Sequence, residues 1–209
     1  MEIYRTTTKQ IWGTKVITEK EYKNIRKHWK QRVYSDYWVL PRMKIFLEIG
    51  GHYLKEAKIL EVGANSGIFA VDMCKLADSY TGLEKDPMYY EQAIQTAKFI
   101  DNPKAKFIKA DLNDWSAMPA HPLYDTFVGL FVVYHFYNPE VAIWREEILP
   151  ECDKVVLQLR NGGRKTIKNK YGFHKPHNTT RFLHDAGFKI RSVYWQPRKR
   201  QFVTITAAR

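Results

Sequence analysis

Cysteine is scarce in this chain: Cys74 and Cys152 are the two present among 209 residues. Two thiols are too few for a disulfide framework, and they lack the clustered spacing of a zinc site. They read as reduced structural thiols, and no metal is expected. No apolar run approaches the roughly 20 residues of a membrane span. The opening, Met1-Glu2-Ile3-Tyr4-Arg5, lacks an apolar segment of the secretory kind. Acidic residues are also in short supply, 22 against 34 Lys and Arg. These absences argue against a disulfide-stapled secreted module and a helical membrane protein. A soluble, cytoplasmic protein without a membrane partner is the expectation.

What the chain does have is apolar and aromatic mass. Hydrophobic residues make up 44% and aromatic residues 14%, enough at this length for one folded domain with a real core. The net charge is +12. A field of that sign favours anionic partners such as nucleic acid, phosphorylated metabolites or acidic surfaces, and does not choose among them.

Residues 1–57 form a basic, aromatic leader, read as an N-terminal helical cap. Thr18 with Glu21 three residues on is a capping box, opening a helix expected to run to about Val33. Tyr22, Ile25, Trp29 and Val33 make an apolar stripe at helical spacing, while Lys20, Lys23, Lys27 and Lys30 lie on another face. Those lysines are a solvated face or a binding surface. A second helix is expected from Pro41 to about Ile49, stopped by Gly50-Gly51.

From Lys58 to Arg209 strand-like and helix-like runs alternate. Strands are expected at 58–62, 79–84, 105–110, 125–133, 154–160, 188–195 and 201–207, with helices at 67–77, 87–100, 138–149 and 178–186. Alternation of this kind predicts an α/β fold, a doubly wound, mostly parallel sheet with helices on both faces. The last two strands are joined by a turn too short for a crossover, so they must be antiparallel.

The first strand enters Glu61-Val62-Gly63-Ala64-Asn65-Ser66-Gly67, a glycine-bearing turn that opens a helix-like run. Such a corner suits a small polar or charged ligand. Gly63 and Gly67 let backbone pass close to a ligand. Asn65 is the non-glycine residue type most tolerant of left-handed dihedrals. Glu84 ends the second strand and Asp111 the third, acids in register at consecutive strand ends. The dinucleotide fingerprint G-x-G-x-x-G is absent, since neither Asn65 nor Ile68 is glycine.

On these residues the chain resembles the class I S-adenosylmethionine-dependent methyltransferases from about Lys58 to the C-terminus. Asn65 stands where the common motif has a middle glycine. The resemblance implies a seven-stranded sheet of order 3-2-1-4-5-7-6 and S-adenosylmethionine as cofactor. The turn Gly63, Ala64, Asn65 and Gly67 would face its methionine end, with Glu61 orienting the ammonium group. Glu84 would accept the ribose hydroxyls, Asp111 the adenine amino group, and Leu112 would flank the ring. Lys85 and Phe131, beside those strand ends, complete the expected cofactor set.

The loop after the fourth strand, Tyr134-His135-Phe136-Tyr137-Asn138-Pro139, is where this family meets its acceptor. His135 is the candidate base, because imidazole titrates near neutral pH; the alternative is a histidine packed under the cofactor. Tyr134 is the second catalytic candidate, or with Phe136 it fills core. The loop lacks the N/D-P-P-Y/F element of amino-methylating DNA enzymes. The chain also lacks a Pro-Cys nucleophile and the Lys–Asp–Lys–Glu tetrad of ribose methyltransferases. The segment after the fifth strand, residues 160–175, holds six Lys or Arg and no acid. Arg164, Lys165, Lys168 and Lys170 in it are the candidate contacts to an anionic acceptor, or else a solvated loop. Tyr34, Tyr37, Trp38 and Arg42 of the leader are expected to close over cofactor and acceptor, Tyr37 and Trp38 as acceptor contacts.

The expected activity is methyl transfer to oxygen or nitrogen of an anionic acceptor, a small molecule before RNA or another nucleic acid. The non-enzymatic alternative is a nucleic-acid-binding protein of the same fold.

Overall fold

Strands form where β-branched and aromatic residues run between Gly, Asp and Pro, and helices where apolar residues recur at helical spacing. The structure, a computed structural model, describes residues 17–28, 39–118, 121–160, 172–173, 175–195 and 202–209. Its strands are β1 (Lys58–Val62), β2 (Ser79–Glu84), β3 (Ala105–Lys109), β4 (Thr126–Leu130), β5 (Lys154–Arg160), β6 (Lys189–Trp195) and β7 (Phe202–Ala208). They form one sheet of order β3-β2-β1-β4-β5-β7-β6. Pairing is parallel from β3 through β5, and β7 runs antiparallel to both β5 and β6. The expected class and strand order are those observed. The C-terminal ends of β1 to β5 therefore share one rim.

Alternation along the central strands sends side chains to two cores. Leu60 and Val62 of β1 and Val155, Leu157 and Leu159 of β5 face one core, with Trp115, Phe127, Trp144, Phe173 and Phe182. Ile59 and Val156 face the other, with Phe46, Tyr80, Phe107 and Val128. Trp144 stacks on Phe182 at 5.0 Å between ring centroids and meets Phe173 edge-on at 5.7 Å. That pairing helps anchor α6 (Pro176–Asp185), which packs against β6 and β7.

Helix α1 (Glu19–Lys27) carries the predicted capping box: the Glu21 N–H donates to Thr18 Oγ1, and the Thr18 N–H to Glu21 Oε2. Tyr22 and Ile25 are buried with Ile17, Met43, Ile68 and Val71, while Lys20, Lys23 and Lys27 are exposed. Trp29, Lys30 and Val33 lie outside the described residues, and the described helix ends at Lys27. The Ile17 N–H donates to both carboxylate oxygens of buried Asp72 at 3.1 Å each. That bond ties the start of α1 to α3 (Ala70–Met73), next to the glycine turn.

Several expected boundaries shift. Helix α2 (Val39–Leu54) does not stop at Ile49 but continues through Gly50 and Gly51. A β-carbon at Gly50 would lie 2.7 Å from Cγ1 of Val156, so this glycine serves close helix–sheet packing rather than termination. The helix expected over 67–77 shrinks to α3 within a series of turns. β4 stops at Leu130, because Phe131 takes a positive φ of 60° and breaks the pleat. Helix α4 (Pro87–Ala97) starts as expected, with the Asp86 carboxylate accepting the Met88 and Tyr89 N–H groups. Helix α5 (Asn138–Ile143) passes into a π turn over Trp144–Ile148. Among the described residues no helix is long and apolar enough to cross a membrane.

Candidate cofactor site

The turn after β1 takes three left-handed residues in five positions, Gly63 (φ 72°), Asn65 (φ 53°) and Gly67 (φ 70°). Asn65 thus adopts the conformation for which the common motif uses glycine. It adds what glycine cannot, since its Oδ1 accepts the Ser66 N–H at 2.8 Å. A β-carbon at Gly63 would lie 2.7 Å from Cγ2 of Val132, so the β4 exit loop lies directly against the turn.

Every backbone N–H from Gly63 to Gly67 is already used inside the protein. Gly63 and Ala64 donate to the Leu83 carbonyl at 2.9 and 3.0 Å, and Gly67 to the Ala64 carbonyl at 3.0 Å. Ser66 donates to Asn65 Oδ1, and Asn65 donates to Glu84 Oε2 at 2.7 Å. The corner is therefore not an open nest of donors. Its polar groups at the rim are oxygens that accept.

Glu84 ends β2, buried, and its carboxylate accepts at both oxygens: Asn65 N–H on Oε2 and Asp86 N–H at 2.9 Å on Oε1. Each oxygen keeps a second lone pair. Asp111 follows β3 and caps the short 3₁₀ turn Leu112–Ala117. Its Oδ1 accepts both the backbone and side-chain N–H of Asn113 at 3.0 Å, and the Lys85 ammonium lies 3.2 Å from Oδ2. Partial burial alone would raise this carboxyl, but the Asn113 N–H and the Lys85 charge hold it below its ordinary range. Asn113 also donates to buried Glu140, which accepts the Tyr137 N–H, so the β3 and β4 exits are linked. Leu112 packs its side chain into the core with Trp115.

Glu61 is not at the lip of the turn. It is 2% exposed on the sheet face beneath the turn, where the Tyr80 hydroxyl donates to Oε2. Burial pushes Glu61 up to about 8; the Tyr80 hydrogen bond opposes that shift, and the nearby Glu84 charge adds to it. Gly82 makes this arrangement possible, because a β-carbon there would lie 2.7 Å from the Tyr80 hydroxyl and 2.9 Å from the Ala64 Cβ. The two cysteines are buried, with Cys74 pushed up to about 12 and Cys152 raised further, chiefly by burial.

At the β4 exit, the positive φ of Phe131 is a costly conformation for an aromatic residue. Its N–H donates to the Gln158 carbonyl at 2.7 Å, and its ring meets Phe202 edge-on at 6.2 Å. The Arg42 guanidinium of α2 stacks over the Phe131 ring at 3.6 Å and lies 5.6 Å from the Phe69 ring. Tyr134 and Phe136 are buried in the core, whereas His135 is exposed on the turn Val133–His135. Desolvation of its ring, then the Lys85 charge, hold the His135 imidazole below its ordinary range.

The structure thus brings together Gly63, Ala64, Asn65, Gly67, Glu84, Lys85 and Asp111, with Phe131 and His135 along the same rim. Arg164, Lys165, Lys168, Lys170, Tyr37, Trp38 and Tyr34 lie outside the described residues. Sequence reasoning gave no role to Val132, Tyr80 or Asn113, and it did not anticipate the stacking of Arg42. Their partners are distant in the chain, and no local pattern signals such pairs.

Sequence comparison finds no matching family model and no matching curated protein. Comparison of folds does. Magnesium protoporphyrin IX methyltransferase from Synechocystis PCC 6803, solved with S-adenosylmethionine bound, superposes with TM-score 0.62 at 15% identity, covering 90% of this chain and 91% of that one. A candidate RNA methyltransferase from Pyrococcus horikoshii gives TM-score 0.62 at 12% identity, covering 92% and 98%. This chain has the class I methyltransferase fold. A third protein of that fold, a SAM-dependent methyltransferase from Aquifex aeolicus, gives TM-score 0.59 at 13% identity, covering 88% and 96%. In the class I methyltransferase fold ligands meet the C-terminal strand ends, the rim where Glu84 and Asp111 stand here.

Proposed function

We propose that the chain is an S-adenosylmethionine-dependent methyltransferase acting on an oxygen or nitrogen of an anionic acceptor, a small molecule in the first instance. The observation that carries this reading is the polarity of the corner. Its turn N–H groups are consumed internally, while Glu84 and Asp111 present acceptors. A dinucleotide pyrophosphate needs backbone donors at such a turn. S-adenosylmethionine instead brings ribose hydroxyls, an adenine amine, an ammonium and a sulfonium, all suited to oxygen acceptors.

The residues present fit that group. Glu84 accepts ribose hydroxyls with the lone pairs left after Asn65 and Asp86. Asp111, steadied by Asn113 and Lys85, takes the adenine amino group, and the Leu112 backbone flanks the ring while its side chain stays in the core. When bound, the cofactor supplies an electrophilic methyl group on a sulfonium sulfur. The chain's own share is positioning, which supplies much of the barrier lowering in an in-line displacement. His135, held in its neutral form at pH 7, accepts the proton of an acceptor hydroxyl or amine. Residues 1–57 serve as the cap over residues 58–209, with the first turn of α2 at the rim.

The anionic acceptor is supported by the net charge of +12 and by the basic run between β5 and α6, which departs from the same rim. The same charge favours RNA as a second reading, because phosphate contacts dominate nucleic-acid affinity. Titration calorimetry tests the cofactor: no heat from folded protein at millimolar S-adenosylmethionine would remove the proposal. A labelled-methyl screen against metabolite, RNA, DNA and protein fractions tests the acceptor. Label in metabolites is expected, and label confined to RNA would install the second reading.

A further inference from the structure

Gln158 breaks the pattern of its strand. Val155, Val156, Leu157 and Leu159 around it are apolar and fully buried. An interior strand covered on both faces reads as a continuous apolar run for that reason. Gln158 sits within that run and is 0% exposed. Its Nε2 donates to Thr204 Oγ1 of β7 at 3.4 Å, which anchors one end of the amide. At the other end, Oε1 meets no hydrogen-bond donor among the described residues. A buried amide oxygen left without a partner is destabilising, and it persists where something other than stability requires it.

The position of that oxygen indicates its use. Gln158 lies opposite Leu130, the last residue of β4. Its carbonyl accepts the N–H of Phe131, whose positive φ is a second, independent sign of a place not shaped by stability alone. One residue further, Val132 lies against Gly63 of the turn. The amide therefore stands at the common rim, on the opposite side of β1 from Glu84 and Asp111. The ends of β1 to β3 hold the groups assigned to the cofactor, and the β4–β5 side is the half they leave. Phe131 is half-buried there, so solvent stands one residue from the amide. A trapped water needs two to four polar partners. Leu130 and Val156, which flank Gln158 on this face, are apolar and would hold one poorly.

We propose that the Gln158 amide oxygen accepts a hydrogen bond from a hydroxyl or N–H group of the methyl acceptor, which makes this residue a determinant of acceptor specificity. This rests on the proposed function and narrows it: the acceptor carries a neutral donor as well as its negative charge. A site built to bond a substrate hydroxyl or N–H rejects analogues that lack it, because its buried polar group then stays unpaired.

The test compares wild type with Gln158→Met, which keeps the side-chain length and removes the oxygen. Both are titrated calorimetrically with S-adenosylmethionine, unfolded in urea, and assayed for methyl transfer to the acceptor isolated from the labelled metabolite extract. Cofactor affinity is expected to stay within twofold and the urea midpoint to stay equal or rise. Acceptor kcat/KM is expected to fall at least tenfold, mainly through KM. Unchanged kcat/KM with a raised midpoint would overturn the proposal and leave the amide a structural orphan. Unchanged kcat/KM with a lowered midpoint would also overturn it, and would assign the oxygen to a buried water. So would an isolated acceptor with neither hydroxyl nor N–H. If Gln158→Met does not fold, Gln158→Leu is read by the same ratios. Failure of wild type to bind S-adenosylmethionine would sink the proposed function and this inference with it, whereas normal cofactor binding with unchanged transfer sinks the inference alone.

Discussion

Replacing Glu84 by glutamine separates its two duties, holding the turn and presenting acceptors. The carboxylate is 7% exposed and accepts the Asn65 and Asp86 N–H groups, one on each oxygen. A hydrogen bond to a charged acceptor contributes roughly 1.5–3 kcal/mol. Glutamine retains one carbonyl oxygen, so one bond survives and the other N–H then faces an amide NH₂. The expected loss is about 2–3 kcal/mol of stability. At this chain length that lowers Tm by about 4–12 °C. Urea unfolding followed by tryptophan fluorescence, with the slope unchanged, gives the value directly. Affinity for S-adenosylmethionine should fall at the same time, because the remaining acceptors are halved and the turn is less firmly held. Glu84→Gln with stability within about 0.5 kcal/mol of wild type, the range of ordinary surface substitutions, would refute the carboxylate's role in the turn.

Gly63→Ala meets both a left-handed φ and Val132 at 2.7 Å, whereas Gly187→Ala meets a φ of 88° with nothing within 4 Å. Gly187→Ala should cost about 1–2 kcal/mol and Gly63→Ala about 2–4 kcal/mol, the difference being the clash; equal costs in urea unfolding would mean that Val132 yields freely. Glu61 is raised in the folded state, so its favourable contribution is complete below its unfolded value and is lost as pH rises through about 8. Unfolding between pH 5 and 8.5 should show wild type losing stability relative to Glu61→Gln; parallel profiles would contradict the buried proton. Lys85→Met removes a charge that depresses His135, so NMR titration should find that imidazole moved up toward its ordinary range; no movement would separate the two residues. His135→Asn should cut kcat by about 10²–10⁴-fold at unchanged cofactor affinity if the imidazole takes the proton.

The sheet was legible because each strand carries its own local pattern and the strand-end acids fall at fixed distances. Glu61, Glu84 and Asp111 could be placed by chain position alone. What position could not give is direction. Glu61 points into the sheet face under the turn because Gly82 leaves room there for the Tyr80 hydroxyl, a pairing across two strands. Gly50-Gly51 reads as a stop signal locally, yet tertiary packing on Val156 carries α2 through it. β4 reads as a strand to Val133, but Phe131 breaks it through a conformation that no propensity favours in phenylalanine. Arg42 was visible as a charge in the leader; its position depends on Phe131 and Phe69, 89 and 27 residues away in the sequence.

The central claim is that a corner rich in acceptors and closed to backbone donation selects S-adenosylmethionine over a dinucleotide. Titrating the folded wild-type protein with S-adenosylmethionine and with a nicotinamide dinucleotide under identical conditions tests it most directly. Saturable binding of S-adenosylmethionine with none of the dinucleotide is the predicted result. Binding of the dinucleotide without S-adenosylmethionine would contradict it.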